Sequence, residues 1–212
     1  MNNSKRTPEL HAASGIVLAG GRSSRMGHDK ARLLLDGEPL VRRLARILTS
    51  VMREVVVSGP EDLTAFAPGV RIIPDSEPGL GPLGGLASAL AHSSYDLTFV
   101  VACDMPFVVP DLVAEMLRRL AERPDVDAVL LPAYLGREHL HVALRRSAVL
   151  PLIHEQIQTG HRAVYTLLAR AHTLELPPDD VARYDPAGLS AFNVNTPEDW
   201  SRATALARNT SP

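Results

Sequence analysis

Stretches with the period of strands and stretches with the period of helices alternate through most of this chain, and that alternation restricts its fold more than any other feature. The first apolar run, residues 15–18, stops at Ala19, Gly20 and Gly21, as a buried strand does where it meets a tight loop. Over residues 40–52 the apolar side chains of Val41, Leu44, Ala45, Leu48 and Met52 recur at helical spacing, with Arg42, Arg43 and Arg46 on other faces. Residues 55–57 and 71–73 read as strands and 83–92 as a helix. Residues 97–102 form the most strand-like stretch, closed by Cys103, Asp104, Met105 and Pro106, where the proline cannot continue a ladder. Pro110 opens a helix whose buried stripe is Leu112, Val113, Met116, Leu117 and Leu120. Strands at 128–131 and 141–144, helices at 148–158 and 163–170 with Gly160 between them, and a last helix from Thr196 to about residue 207 complete the series. Such alternation implies an α/β fold, a three-layer α/β/α sandwich with a mainly parallel central sheet. Ligands of such sheets gather beyond the C-terminal ends of the strands.

At 212 residues one domain is the simplest count, with residues 1–14 as a flexible extension, 15–207 as the domain and 208–212 as a tail. A hydrophobic fraction of 45% with 22% charged residues is ordinary globular composition. The formal net charge of −2 offers no cation excess for a phosphate backbone, which argues against nucleic acid as a partner. No apolar run is long enough to span a bilayer and no leader opens the chain, so a cytoplasmic, membrane-free protein is expected. The single cysteine, Cys103, reads as a small residue at a strand end, because no histidine is placed to activate it and Asp104 opposes a thiolate.

Two segments with chemical character fall at strand ends. The first runs Leu18, Ala19, Gly20, Gly21, Arg22, Ser23, Ser24, Arg25, Met26, Gly27, His28, Asp29, Lys30. Its glycines let backbone amides face a phosphate chain, and Arg25 and Lys30 supply fixed positive charge. It is neither a Walker loop, since no Gly-Lys-Ser or Gly-Lys-Thr closes it, nor the dinucleotide fingerprint, since the glycine spacing differs. The second is Asp104, a carboxylate suited to a hard cation. Asn193 and Asn195 share one side of an extended segment, opposite Phe192 and Val194, and either could support phosphate or metal. His139 and His141 share a strand face without a third ligand and are read as surface or second-substrate residues. Trp200 and Tyr165 are read as packing residues.

The Leu18 to Lys30 segment closely resembles the signature of nucleotidyltransferases that carry Leu-Ala-Gly-Gly followed by Arg-Met-Gly-x-Asp-Lys, and specifically that of the molybdenum cofactor guanylyltransferases. Further landmarks follow in order: Pro39 with Leu40, Asp75 after a strand, residues 81–84, Cys103 to Pro106, and Asn193 to Glu198. The resemblance implies a Rossmann-like, nucleotide-diphospho-sugar transferase-like domain. It also implies a reaction in which GMP passes from GTP to the terminal phosphate of molybdenum cofactor, giving molybdopterin guanine dinucleotide and diphosphate. By that resemblance Asp104, Lys30 and Arg25 are the catalytic residues and Asp104 holds Mg²⁺. Leu18, Ala19, Gly20, Gly21, Lys30, Ser58, Asp75 and Asp104 bind the nucleotide, with Asp75 accepting from the guanine N1 and N2 donors. GTP and molybdenum cofactor are the implied substrates, with transient contacts to cofactor-synthesis proteins and apo-molybdoenzymes.

The chain departs from the pattern in three places, one of them an N-terminal extension longer than the motif needs. Ser58 stands where the family usually has Asn, and His139, Leu140, His141 replaces its His-Pro-Thr. A CTP-dependent cytidylyltransferase, a sugar-phosphate nucleotidyltransferase or a silent nucleotide-binding adaptor are the competing readings. Gly20 favours GTP over the first two, which usually carry Ala there. The pterin contacts stay open, within a groove around residues 137–145.

Overall fold

The computed structural model describes residues 11–20, 29–76, 79–135 and 140–210. Its strands are β1 (His11–Leu18), β2 (Leu34–Leu35), β3 (Glu38–Pro39), β4 (Met52–Ser58), β5 (Arg71–Ile73), β6 (Leu97–Ala102), β7 (Ala128–Leu130), β8 (His141–Arg145) and β9 (Thr173–Glu175). Its helices are α1 (Leu40–Thr49), α2 (Pro82–Ala91), α3 (Pro110–Glu122), α4 (Arg146–Gln158), α5 (Val164–Arg170), α6 (Pro178–Tyr184) and α7 (Pro197–Thr210). Seven strands form one sheet in the order β5-β4-β1-β6-β8-β7-β9, and β2 pairs with β3 in a separate hairpin. The β8 strand runs antiparallel to both neighbours, while the other pairs of the large sheet are parallel. This is the three-layer α/β/α architecture that the alternation implies.

Successive residues of the central strands point to opposite layers, so one strand feeds two cores. Val17, Val57, Phe99 and Val101 pack with the α1 and α3 stripes, whereas Ile16, Val56, Val100 and Val142 pack with α2, α4 and α5. Leu44, Leu48, Leu86, Leu90, Leu117 and Leu120 are all fully buried, each contributing about 1.5–3 kcal/mol of transfer free energy. A third, smaller cluster joins Leu35 of the hairpin to Leu40, Phe107, Val194 and the inner face of α7 at Ala203 and Ala207.

Several boundaries differ from the sequence expectation, among them the end of α1, which stops at Thr49 so that Met52 opens β4 instead of closing the helix. The first strand begins at His11 rather than at residue 15, because the Ser14 hydroxyl donates to Glu54 and the His11 amide donates to Val51 O at 2.8 Å. Residues 11–14 therefore belong to the sheet, not to the extension. The last helix continues to Thr210. The β2–β3 hairpin, β9 and α6 add elements for which the sequence pattern offered no reading. Among the described residues no helix is long and apolar enough to cross a membrane.

Register aligns the strand ends that matter. Leu18 lies level with Ser58 on one side and with Ala102 on the other, and Ser58 lies level with Ile73. Four parallel strands thus finish on one ledge.

Candidate active site

Asp104 stands two residues beyond β6, on that ledge. Its turn is pinned by backbone bonds: Cys103 N–H donates to Leu18 O at 3.0 Å, and Met105 N–H donates to Ala102 O at 3.1 Å. The Asp104 carbonyl accepts from Val194 N–H at 2.8 Å, which draws the closing segment alongside and places Asn195 next to the carboxylate.

Lys30 completes the cluster. Its Nζ donates to Asp104 Oδ2 at 2.9 Å and to Asn195 Oδ1 at 2.8 Å, so one ammonium gathers partners 74 and 165 positions further along the chain. A short 3₁₀ turn, Lys30–Arg32, sets the lysine backbone. Asp29 caps that turn by accepting from Ala31 N–H at 3.1 Å. Arg32 then ties Asp29 to the segment after β4, donating to Asp29 Oδ2 at 2.8 Å and to Asp62 Oδ2 at 2.6 Å while its guanidinium lies 5.1 Å from the Phe66 ring centre. The Asn195 side is held by a reciprocal cap. Asn195 and Thr196 N–H groups donate to Asp199 Oδ2 at 2.9 Å, and Asp199 N–H donates back to Thr196 Oγ1 at 3.1 Å. The Asn195 amide and that cap hold the Asp199 carboxyl below its ordinary value.

At the same strand ends, where Leu18 and Ser58 finish, opens a cleft of about 850 Å³ lined by Leu18, Gly20, Ser58, Asp75, Gly81 and Gly85 with their neighbours, while Lys30, Asp104 and Asn195 are not part of its lining. Four nucleotide-site residues expected from sequence thus share one cavity: Leu18, Gly20, Ser58 and Asp75. Ala19 is buried behind it, its amide donating to Ser58 O at 2.8 Å. Gly85 was not singled out from the sequence, yet a Cβ there would stand 2.7 Å from Ser58 Oγ. Its position as the last glycine of a Gly-Pro-Leu-x-Gly run was the available signal. Gly81 adopts φ +63°, a left-handed conformation that lets the chain turn into α2, with Pro82 in the first turn. Gly21 and Arg25 lie outside the described residues, as does His139. Asn193 is half-buried two residues before Asn195.

Two expectations need correction. His141 is fully buried, not at the surface, because β8 sits between β6 and β7 and its side chain packs edge-on against Phe99 with ring centres 5.0 Å apart. Tyr165 is 61% exposed and does not pack into the core, whereas Trp200 packs against the third cluster. Cys103 is half-buried, and desolvation followed by the charge of Asp104 pushes its thiol up, so it is a poor nucleophile.

The site can hold a cation through Asp104. Its Oδ2 faces Lys30, while Oδ1 is buried with no hydrogen-bond partner among the described residues, an acceptor in a desolvated setting. Among the described residues no group of three His, Cys, Asp or Glu side chains gathers for a metal. One carboxylate suits an ion of the Mg²⁺ type, which keeps waters and takes other oxygens from substrate phosphates.

Comparison with known proteins bears on the family and the fold. The MobA-like NTP transferase domain matches residues 15–174. A probable molybdenum cofactor guanylyltransferase of Pelotomaculum thermopropionicum is 33% identical over 199 residues, covering 93% of this chain and 94% of the relative. A molybdenum cofactor guanylyltransferase of Xanthomonas euvesicatoria is 35% identical over 192 residues, covering 89% and 93%. The crystal structure of molybdopterin-guanine dinucleotide biosynthesis protein A from Archaeoglobus fulgidus superimposes with a TM-score of 0.79 at 27% identity, covering 93% of this chain and all of that one.

Proposed function

Because the chain belongs to the MobA-like NTP transferase domain family, we propose that it transfers GMP from GTP to the terminal phosphate of molybdenum cofactor. The products are molybdopterin guanine dinucleotide and diphosphate. A phosphate oxygen of the cofactor attacks the α-phosphorus of GTP. The bond from that phosphorus to the oxygen bridging the β-phosphate breaks, and diphosphate leaves with that oxygen. The single observation that carries this reading is the meeting of Lys30, Asp104 and Asn195 at the strand-end ledge on which the cleft residues Leu18 and Ser58 also finish.

Two polyanions must approach each other here, so positioning and charge neutralisation dominate over covalent chemistry. Lys30 neutralises charge on the departing diphosphate in this reading, with Arg25 assigned the same task. Asp104 would hold Mg²⁺ through its Oδ1, and the ion when bound supplies Lewis-acid charge to the phosphoryl oxygens. Asn195 keeps the Lys30 ammonium in place, and Asn193 supports the same segment. Leu18, Gly20 and Ser58 border the nucleoside, and Asp75 at the far rim accepts from guanine. GTP and molybdenum cofactor are the substrates, with cofactor-synthesis proteins and apo-molybdoenzymes as transient partners in the cytoplasm.

The test is diphosphate release by the purified chain with molybdenum cofactor and Mg²⁺, offered each nucleoside triphosphate in turn. Release with GTP alone is expected. Release with CTP in its place would mark a cytidylyltransferase, and GTP binding without release would mark an adaptor.

A further inference from the structure

Beneath the segment that carries Asp75 lies Ser88, on α2 and only 3% exposed. Its hydroxyl donates to Gly84 O at 3.0 Å and accepts from Ser76 N–H at 3.0 Å. The Ser76 hydroxyl stands 2.8 Å from the same oxygen. With the Ser88 proton committed to Gly84, Ser76 Oγ can meet it only as a donor. One oxygen therefore uses its single donor and both acceptor capacities, and the segment after β5 is fastened to the helix at that point. Ser76 follows Asp75 directly, and Gly85, one turn before Ser88, lines the cleft together with Asp75.

We infer that Ser88 is a positioning residue for nucleobase selection: by fixing Ser76 it sets where Asp75 presents its carboxylate in the cleft. This rests on the reading of Asp75 as the acceptor for guanine. A carboxylate that meets two N–H donors at once is sensitive to small displacements, whereas the phosphate end of the nucleotide is held by Lys30, on a different element. Loss of the Ser88 tie should therefore weaken selection of the base more than it weakens chemistry at phosphorus. A buried serine that served only the fold would change stability and leave selectivity alone.

The experiment compares kcat/KM for GTP and for ITP, which lacks the 2-amino group, using the full chain with molybdenum cofactor and Mg²⁺. Ser88→Ala is expected to lower the GTP over ITP preference by about tenfold, expressed in the nucleotide KM, with the KM for molybdenum cofactor unchanged. Ser76→Ala, at an exposed position that carries little risk to folding, should lower the preference by about threefold through the lost hydroxyl bond, and it decides the matter should Ser88→Ala fail to fold. Asp75→Asn is the control. Collapse of the preference in Asp75→Asn with wild-type preference in the serine variants overturns the role of Ser88. An unchanged preference in Asp75→Asn overturns the guanine reading of Asp75 and the inference with it.

Discussion

Acidification should destabilise this protein through His141, well before its carboxylates titrate. The ring is fully buried, neither of its nitrogens has a hydrogen-bond partner among the described residues, and desolvation pulls its pKa from 6.5 down to about 4 against the opposing effects of the backbone and then of the Asp185 charge. The folded pKa lies below the unfolded one, so the unfolded state binds the proton first. Stability is therefore complete above about pH 6.5 and falls as pH drops toward 4. At about 1.4 kcal/mol per unit the full loss is about 3 kcal/mol, of which about 2 kcal/mol has accrued by pH 5. That is a large share of a typical folding free energy of about 5–15 kcal/mol. Glu115, held near 2 by Arg118 and Arg119, stays ionised at pH 5 and does not obscure the effect. Urea unfolding at pH 7.5 and pH 5 measures it, with His141→Leu as the reference. The wild type should lose about 2 kcal/mol more than the variant between the two pH values. Equal losses in both proteins would refute the neutral, buried assignment.

Two further outcomes follow from the geometry of the site. In Gly85→Ala the new Cβ meets Ser58 Oγ at 2.7 Å. Overpacking of about 1–3 kcal/mol is offset by about 1 kcal/mol of helix propensity, so the net loss of stability should be no more than about 2 kcal/mol. The KM for GTP should rise several-fold as Ser58 is pushed into the cleft, and an unchanged KM would place the base elsewhere. Lys30→Ala should cut kcat/KM for GTP by about 100-fold. It should leave the unfolding midpoint nearly in place, since a partly exposed pair contributes about 0–1 kcal/mol. Wild-type kinetics in that variant would remove Lys30 from the reaction.

The parts of the site that were legible in the sequence are those set by local chain events. Asp104 announced itself because a strand-like run ends at it and Pro106 forbids continuation. Leu18 and Gly20 did so because a buried strand breaks into glycines. The contact of Asn195 with Lys30 could not be read that way, since it depends on Val194 N–H reaching the Asp104 carbonyl from a segment 90 positions away. His141 was misplaced for a related reason. Its two-residue period with His139 defines a face, but only the insertion of β8 between β6 and β7 decides that the face is buried. The β9 strand has three residues and α6 has seven, too few to display a period, and each is stabilised by tertiary partners. Ser14 looked like loop because its polarity is visible in sequence and its Glu54 partner is not.

The central claim is that Asp104 and Lys30 act together on one triphosphate, and the rate of diphosphate release from GTP by Asp104→Asn tests it most directly. The change is nearly isosteric, so the unfolding midpoint should hold while turnover falls by about 100-fold or more and the Mg²⁺ requirement rises. Turnover close to wild type at the same Mg²⁺ concentration would contradict the account.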